Sequence, residues 1–136
     1  MNSTEPILLN EWAGETPEVV FAEFAGTRWG APKDSSEPPI SDSPEFKGVE
    51  ILLASYGTGG YEGIDFVLFR RDGQLYEVNG SHCSCYGLEH QWDPELTTVE
   101  ALRHRLTNGN LGADSYYDNS FATELHQVLD ALEATP

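Results

Sequence analysis

The dipeptide Asp72-Gly73, set between two apolar runs, restricts this chain more than any other feature. Both residues tolerate positive φ, which a type I′ turn demands at its two central positions, and the twist of that turn matches the strands it joins. The flanking runs, Ile64 to Arg71 and Gln74 to Asn79, therefore pair as an antiparallel hairpin. In the first run Phe66 and Leu68 share one face, while Val67 and Phe69 share the other. A strand that is apolar on both faces needs cover on both, which places it centrally in a sheet. Val49 to Tyr56, mostly apolar and followed by Gly57-Thr58-Gly59-Gly60, supplies a further strand.

The last third reads as helix. Thr97-Thr98-Val99-Glu100 has the form of a capping box, in which Thr97 and Glu100 satisfy each other's free backbone donors. Val99, Leu102 and Leu106 then make an apolar stripe that Asn108-Gly109 ends. A second helix follows Asp118-Asn119-Ser120, with Phe121, Leu125, Val128, Leu129 and Leu132 at 3.6-residue spacing. Nearer the start, Thr16-Pro17-Glu18 looks like a helix N-terminus, but Val19-Val20-Phe21 favours a strand, so Pro17 to Phe24 stays open. The expected class is α+β: an antiparallel sheet of three or more strands with two C-terminal helices packed on it.

Residues 1–136 suit one domain. Within it residues 30–47 hold four prolines, four serines and four acids, the composition of a flexible loop or linker. The opening residues lack the basic and apolar stretches of a signal peptide, and no run approaches the roughly 18 apolar residues of a membrane span. Cys83 and Cys85 are separated by one residue, and a disulfide between them would close a small strained ring. Reduced thiols and a cytoplasmic setting are the expectation.

Charge narrows the function. Seven Lys and Arg face twenty-three Asp and Glu, a formal net charge of -16. Nucleic acid and anionic membranes would both repel such a chain, whereas a basic protein surface would attract it and raise the rate of encounter. From Leu106 onward there is no Lys or Arg, only Asp114, Asp118, Glu124, Asp130 and Glu133, and these five are the expected partner-binding residues.

Chemistry, if any, is expected between Asn79 and Trp92, which holds both cysteines and two of the four histidines. His82, Cys83, Cys85 and His90 are the candidate zinc ligands, although paired ligands normally stand two or more residues apart. Adjacent His82 and Cys83 would also point to opposite sides of an extended chain. Cys83 or Cys85 could act as a nucleophile with a histidine oriented by Asp93 or Glu89, though acidic surroundings raise a thiol's pKa and blunt it. Glu62 and Asp65 offer a weaker carboxylate pair. The structural alternative is core packing, with small thiols inside, Tyr86 and Trp92 covering an edge, and Gly80 and Gly87 permitting sharp turns.

The run FVLFRRDGQLYEVNGSHCSCYGLEHQWDPE with the following TVEALRHRL, about a third of the chain, resembles an uncharacterised group of small acidic phage and prophage proteins. NGSHCSCYGLE is its specific core. The resemblance implies a phage or mobile-element setting and carries no catalytic residues. Together with the charge, it leads to the expectation of a non-enzymatic, cofactor-free inhibitor that occupies a basic nucleic-acid-binding surface on a bacterial defence component, of the anti-CRISPR or anti-restriction type. An antidote to a cationic toxin nuclease would need the same acidity. A zinc or cysteine module built on His82 to His90 is the third reading.

Overall fold

A computed structural model describes residues 5–26, 39–59, 61–83, 86–114 and 119–134. Its centre is a five-stranded sheet in the order β1 (Ile7–Asn10), β2 (Glu50–Tyr56), β3 (Glu62–Arg71), β4 (Gln74–Cys83), β5 (Glu95–Thr97). The three inner strands are the ones expected. Asp72 and Gly73 adopt φ of 53° and 79°, the left-handed pair that a type I′ turn requires, and Arg71 faces Gln74 across it. Replacing Gly73 with Val should lower stability by on the order of 2 kcal/mol, because a β-branched residue resists this conformation. A Cβ there meets nothing within 4 Å, so the loss would report backbone strain alone. Equal urea midpoints for the two proteins would contradict it.

The sheet is mixed and not purely antiparallel. Ile7 to Asn10 runs parallel to β2, in register with Leu53 to Tyr56. The reason is the crossover between them: α1 (Pro17–Ala25) carries the chain over one face, and a strand that returns after such a crossover pairs parallel. The Thr16-Pro17 start therefore prevails over the β-branched pair Val19-Val20, and Val20, Phe21 and Phe24 turn inward from a helix.

Both faces of the sheet are covered. On one, Val20, Phe21 and Phe24 of α1 pack with Trp12, Phe46, Val67, Phe69 and Val78. On the other, Phe66 and Leu68 meet Leu102 of α2 (Val99–Asn108) and Leu125, Val128 and Leu129 of α3 (Ala122–Ala134). The two-faced pattern of β3 is thus satisfied as read. A register shift between Ile51 and Leu53 in β2 breaks strict alternation, so Leu52 and Leu53 both join the α2–α3 side.

Three local details differ from the sequence reading. The cap of α2 is Thr98, whose Oγ1 accepts from Ala101 N at 3.0 Å, one residue beyond Thr97. Thr97 is occupied in β5, where it pairs with Leu75. Asn119 is not a free cap residue: with Ser120 it forms β7, paired with β6 (Ala113–Asp114), and is 1% exposed. Of residues 30–47, the first nine lie outside the described residues. In the rest, Ile40–Asp42 forms a single 3₁₀ turn, and Phe46 is buried against Phe21 and Trp92. Among the described residues no helix is long and apolar enough to cross a membrane.

Candidate functional site

β4 does not stop at Asn79 but continues through Cys83, antiparallel to β3 with Gly63 opposite His82 and Asp65 opposite Gly80. Alternation along both strands puts Asp65 and His82 on the α1 face, at the end of the sheet remote from the Asp72–Gly73 turn. Cys83 necessarily points the other way.

His82 is 6% exposed and uses both ring nitrogens. Nδ1 lies 2.9 Å from Asp65 Oδ2, and Nε2 lies 3.1 Å from Thr58 Oγ1. The ring stacks on Tyr56, with centroids 4.0 Å apart and planes 13° from parallel. Its underside rests on Gly63, where a Cβ would fall 2.4 Å from Cε1. Thr58 is held within reach because the glycine loop is tied to β3: Gly57 N donates to Ile64 O at 3.1 Å, and Gly59 N to Glu62 O at 2.9 Å.

Burial sets the proton inventory here. It pushes the Asp65 carboxyl up to about 8, aided by the nearby Glu23 carboxylate, and Oδ1 of Asp65 is buried without a hydrogen-bond partner among the described residues. Burial also lowers His82, against an opposing pull from Glu11. When Asp65 holds the proton it donates to Nδ1, and the Nε2–H of the neutral imidazole points to Thr58. When Asp65 is ionised it accepts from Nδ1–H, leaving Nε2 free to accept the Thr58 hydroxyl proton.

Carboxylates gather around this core. Burial, then Glu23, Asp65, Glu11 and Glu89, hold the Tyr56 hydroxyl far above its usual range. Glu23 is itself raised, by burial and by Glu89. Glu11, Trp12, Glu15, Val19, Glu23 and Tyr56 line a notch of about 180 Å³. Glu11 also borders a second cavity of about 340 Å³, shared with Asn10, Thr58 and Ser120. A third cavity, of about 550 Å³, is lined by Ile64, Phe66, Leu111 and Phe121 among others. Asp65 belongs to its wall, but the Asp65 carboxyl is bonded to His82 on the opposite face.

The sequence-derived candidates are distributed differently. Asp130 and Glu133, expected to lack a cation, both bind Arg103, at 2.6 and 2.8 Å. Arg103 reaches them because α2 packs beside α3, a proximity the linear sequence does not display. Glu124 is half-buried in the first turn of α3. Asp114 lies in β6, and Asp118 falls outside the described residues. His90 is exposed with φ of 69° and does not join His82. Among the described residues no three His, Cys, Asp or Glu side chains converge on a common point.

Cys83 is disulfide-bonded, contrary to the expectation of reduced thiols, so it offers neither a thiolate nucleophile nor a free ligand; Cys85 lies outside the described residues. The backbones of Cys83 and Tyr86 exchange hydrogen bonds of 2.9 and 3.4 Å. Glu62 is exposed and Asp65 buried, and they do not act as a pair. Trp92 packs on Phe24, Phe46 and Phe69, whereas Tyr86 is exposed.

Thr58 carries no sequence signal beyond its place between glycines. Carrying the two-residue period of β4 past Asn79 to His82 would have brought His82 onto the face of Asp65. No family model, curated protein or solved structure matches the chain.

Proposed function

We propose that this protein works by capturing a basic partner, and that the contact is the carboxylate notch formed by Glu11, Glu15 and Glu23 about Tyr56, with Glu89 adding its charge from close by. The observation that carries this reading is uncompensated like charge. Glu23 is held above the ordinary carboxylate range by burial and by Glu89, with no cation among its causes. The described arginines are engaged elsewhere: Arg70 with Glu50, Arg103 with Asp130 and Glu133, Arg105 with Glu77, and Arg71 with the Pro44 and Glu45 carbonyls. A Lys or Arg side chain entering the notch would lay its aliphatic stem along Trp12, Val19 and Tyr56 and bring its charge to the carboxylates. Asp130 and Glu133, already bound to Arg103, have less to offer.

The resemblance to small acidic phage and prophage proteins supports a bacterial defence component as partner, one whose own nucleic-acid-binding surface is basic. Acid groups spaced along a face present charge as a phosphate backbone does, and long-range attraction speeds the encounter. The test is capture from bacterial lysate at low salt, followed by binding of the captured protein across about 0.05 to 0.5 M salt, a range over which screening of exposed charges becomes severe. Affinity should fall steeply, mainly in the association rate. Reversal of Glu11, Glu23 and Glu89 to Lys should cost at least tenfold, about 1.4 kcal/mol, and reversal of Asp130 and Glu133 much less. Salt-insensitive binding, or equal losses in the two variants, would overturn the proposal.

A further inference from the structure

We propose that Thr58 is the nucleophile of an acyl-transfer centre, with His82 as its base and Asp65 orienting the imidazole, acting on small esters whose ammonium group meets Glu11. This goes beyond partner capture and does not depend on it.

The geometry is that of an activated hydroxyl. A nucleophilic side chain within hydrogen-bond reach of a base, itself oriented by a third group, is the general arrangement for such catalysis on unrelated folds. Thr58 Oγ1 lies 3.1 Å from His82 Nε2, and His82 Nδ1 lies 2.9 Å from Asp65 Oδ2. The imidazole cannot turn away, clamped between the Tyr56 ring at 4.0 Å and Gly63, whose missing Cβ provides its space. The hydroxyl, by contrast, is half-buried and lines a cavity of about 340 Å³ that could receive a substrate.

Two other residues of that cavity have chemistry to contribute. Asn10 donates through its amide to Ser55 Oγ at 2.6 Å and to Asn119 Oδ1 at 3.5 Å. An oxyanion in the cavity would take the second, longer bond's hydrogen in exchange for Asn119. Asn10 also holds a left-handed φ of 60°, the kind of backbone cost that persists where surrounding structure imposes it. Glu11 adds a negative charge, which selects an ester bearing a cationic group near its carbonyl.

In the first step the Thr58 Oγ–C bond forms at the ester carbonyl while the proton of the hydroxyl passes to His82 Nε2. The ester C–O bond then breaks, and the alcohol leaves with that proton. Water adds to the acyl-Thr58 ester by the same relay, releasing the acid and restoring the hydroxyl. Nε2 can take the proton only when Asp65 is ionised, so the rate should rise with pH through about 8. The groups around the pair are Glu23 on α1, Tyr56 on β2, Glu11 beyond β1, and Glu89 after β4; of these Glu23 favours the protonated Asp65 and so delays the rise.

The test uses the full chain with diisopropyl fluorophosphate, which reports an activated hydroxyl without requiring the natural substrate. Oγ displaces fluoride from phosphorus, and peptide mass spectrometry locates the adduct. Labelling of Thr58 is expected, faster at pH 9 than at pH 7 by about tenfold. It should vanish in Thr58→Val, which preserves shape, and persist in Thr58→Ser. Asp65→Asn should lose the pH dependence as well as most of the rate. p-Nitrophenyl glycinate should turn over at least tenfold faster than p-nitrophenyl acetate, a preference removed by Glu11→Gln. Absence of a Thr58 adduct at pH 9, or esterase rates unchanged in Thr58→Val, would overturn the centre. Salt-dependent capture should be unaffected by Thr58→Val, so failure of this inference and failure of the capture reading are read separately.

Discussion

Replacing Gly63 with Ala is expected to cost about 3 kcal/mol, a large fraction of the whole stability of a marginally stable protein. A Cβ at this position would lie 1.9 Å from the Gly57 carbonyl oxygen, 2.4 Å from His82 Cε1 and 2.5 Å from Nε2. Neither obstacle can yield cheaply. The Gly57 carbonyl belongs to a loop tied to β3 through Gly57 N and Ile64 O at 3.1 Å, and the imidazole is stacked beneath Tyr56 and bonded at both nitrogens. Relief would require moving His82 off Asp65, which strands a buried carboxyl, or parting β2 from β3. Gly14→Ala provides the contrast, since φ there is +85° but nothing lies within 4 Å. That change should cost only the backbone strain, about 1 kcal/mol. Urea denaturation followed by circular dichroism decides the matter. A Gly63→Ala midpoint no lower than that of Gly14→Ala would mean the slot under His82 is not tight.

The fold was legible where a local signal and a buried face agreed. Asp72-Gly73 dictated a hairpin, and Phe66, Val67, Leu68 and Phe69 dictated two covered faces, because turn chemistry and strand alternation are properties of neighbouring residues. The α3 stripe from Phe121 to Leu132 was legible for the same reason. The parallel pairing of Ile7–Asn10 with Leu53 to Tyr56 was not, since four residues carry no mark of a partner more than forty positions away. Arg103 beside Asp130 and Glu133 was hidden likewise, across 27 and 30 residues. The candidate site was lost for a different reason. Asn79-Gly80-Ser81 is polar and looks like a strand end, yet pairing with the longer β3 extends the ladder through it to His82. Only that extension brings a histidine beside Asp65, and only the return of the Gly57–Gly59 loop brings Thr58 to both.

Asp65→Asn is expected to make the protein more stable at pH 9, by on the order of 3 kcal/mol, while leaving it nearly unchanged or slightly weaker at pH 5. The sign follows from proton uptake. In the unfolded chain an aspartate titrates near 3.9. Folded, Asp65 keeps its proton up to about 8, because burial disfavours the carboxylate and Glu23 adds repulsion. Between these values the native state holds one more proton than the unfolded state at this residue, so stability falls as pH rises, by at most about 1.4 kcal/mol per unit. His82 works in the other direction: its pKa is lowered on folding, so its share of stability is lost as pH falls below the unfolded value near 6.5. The two slopes oppose each other at mildly acid pH, and the loss from Asp65 stands alone above it. An amide cannot ionise, so the variant should lack the alkaline decline while retaining the acid one. Urea midpoints for both proteins from pH 5 to 9 test this directly. Curves that run parallel across the whole range would show that Asp65 is ionised in the native state throughout. The neutral pair would then be lost, and with it the expected rise of Thr58 reactivity through pH 8.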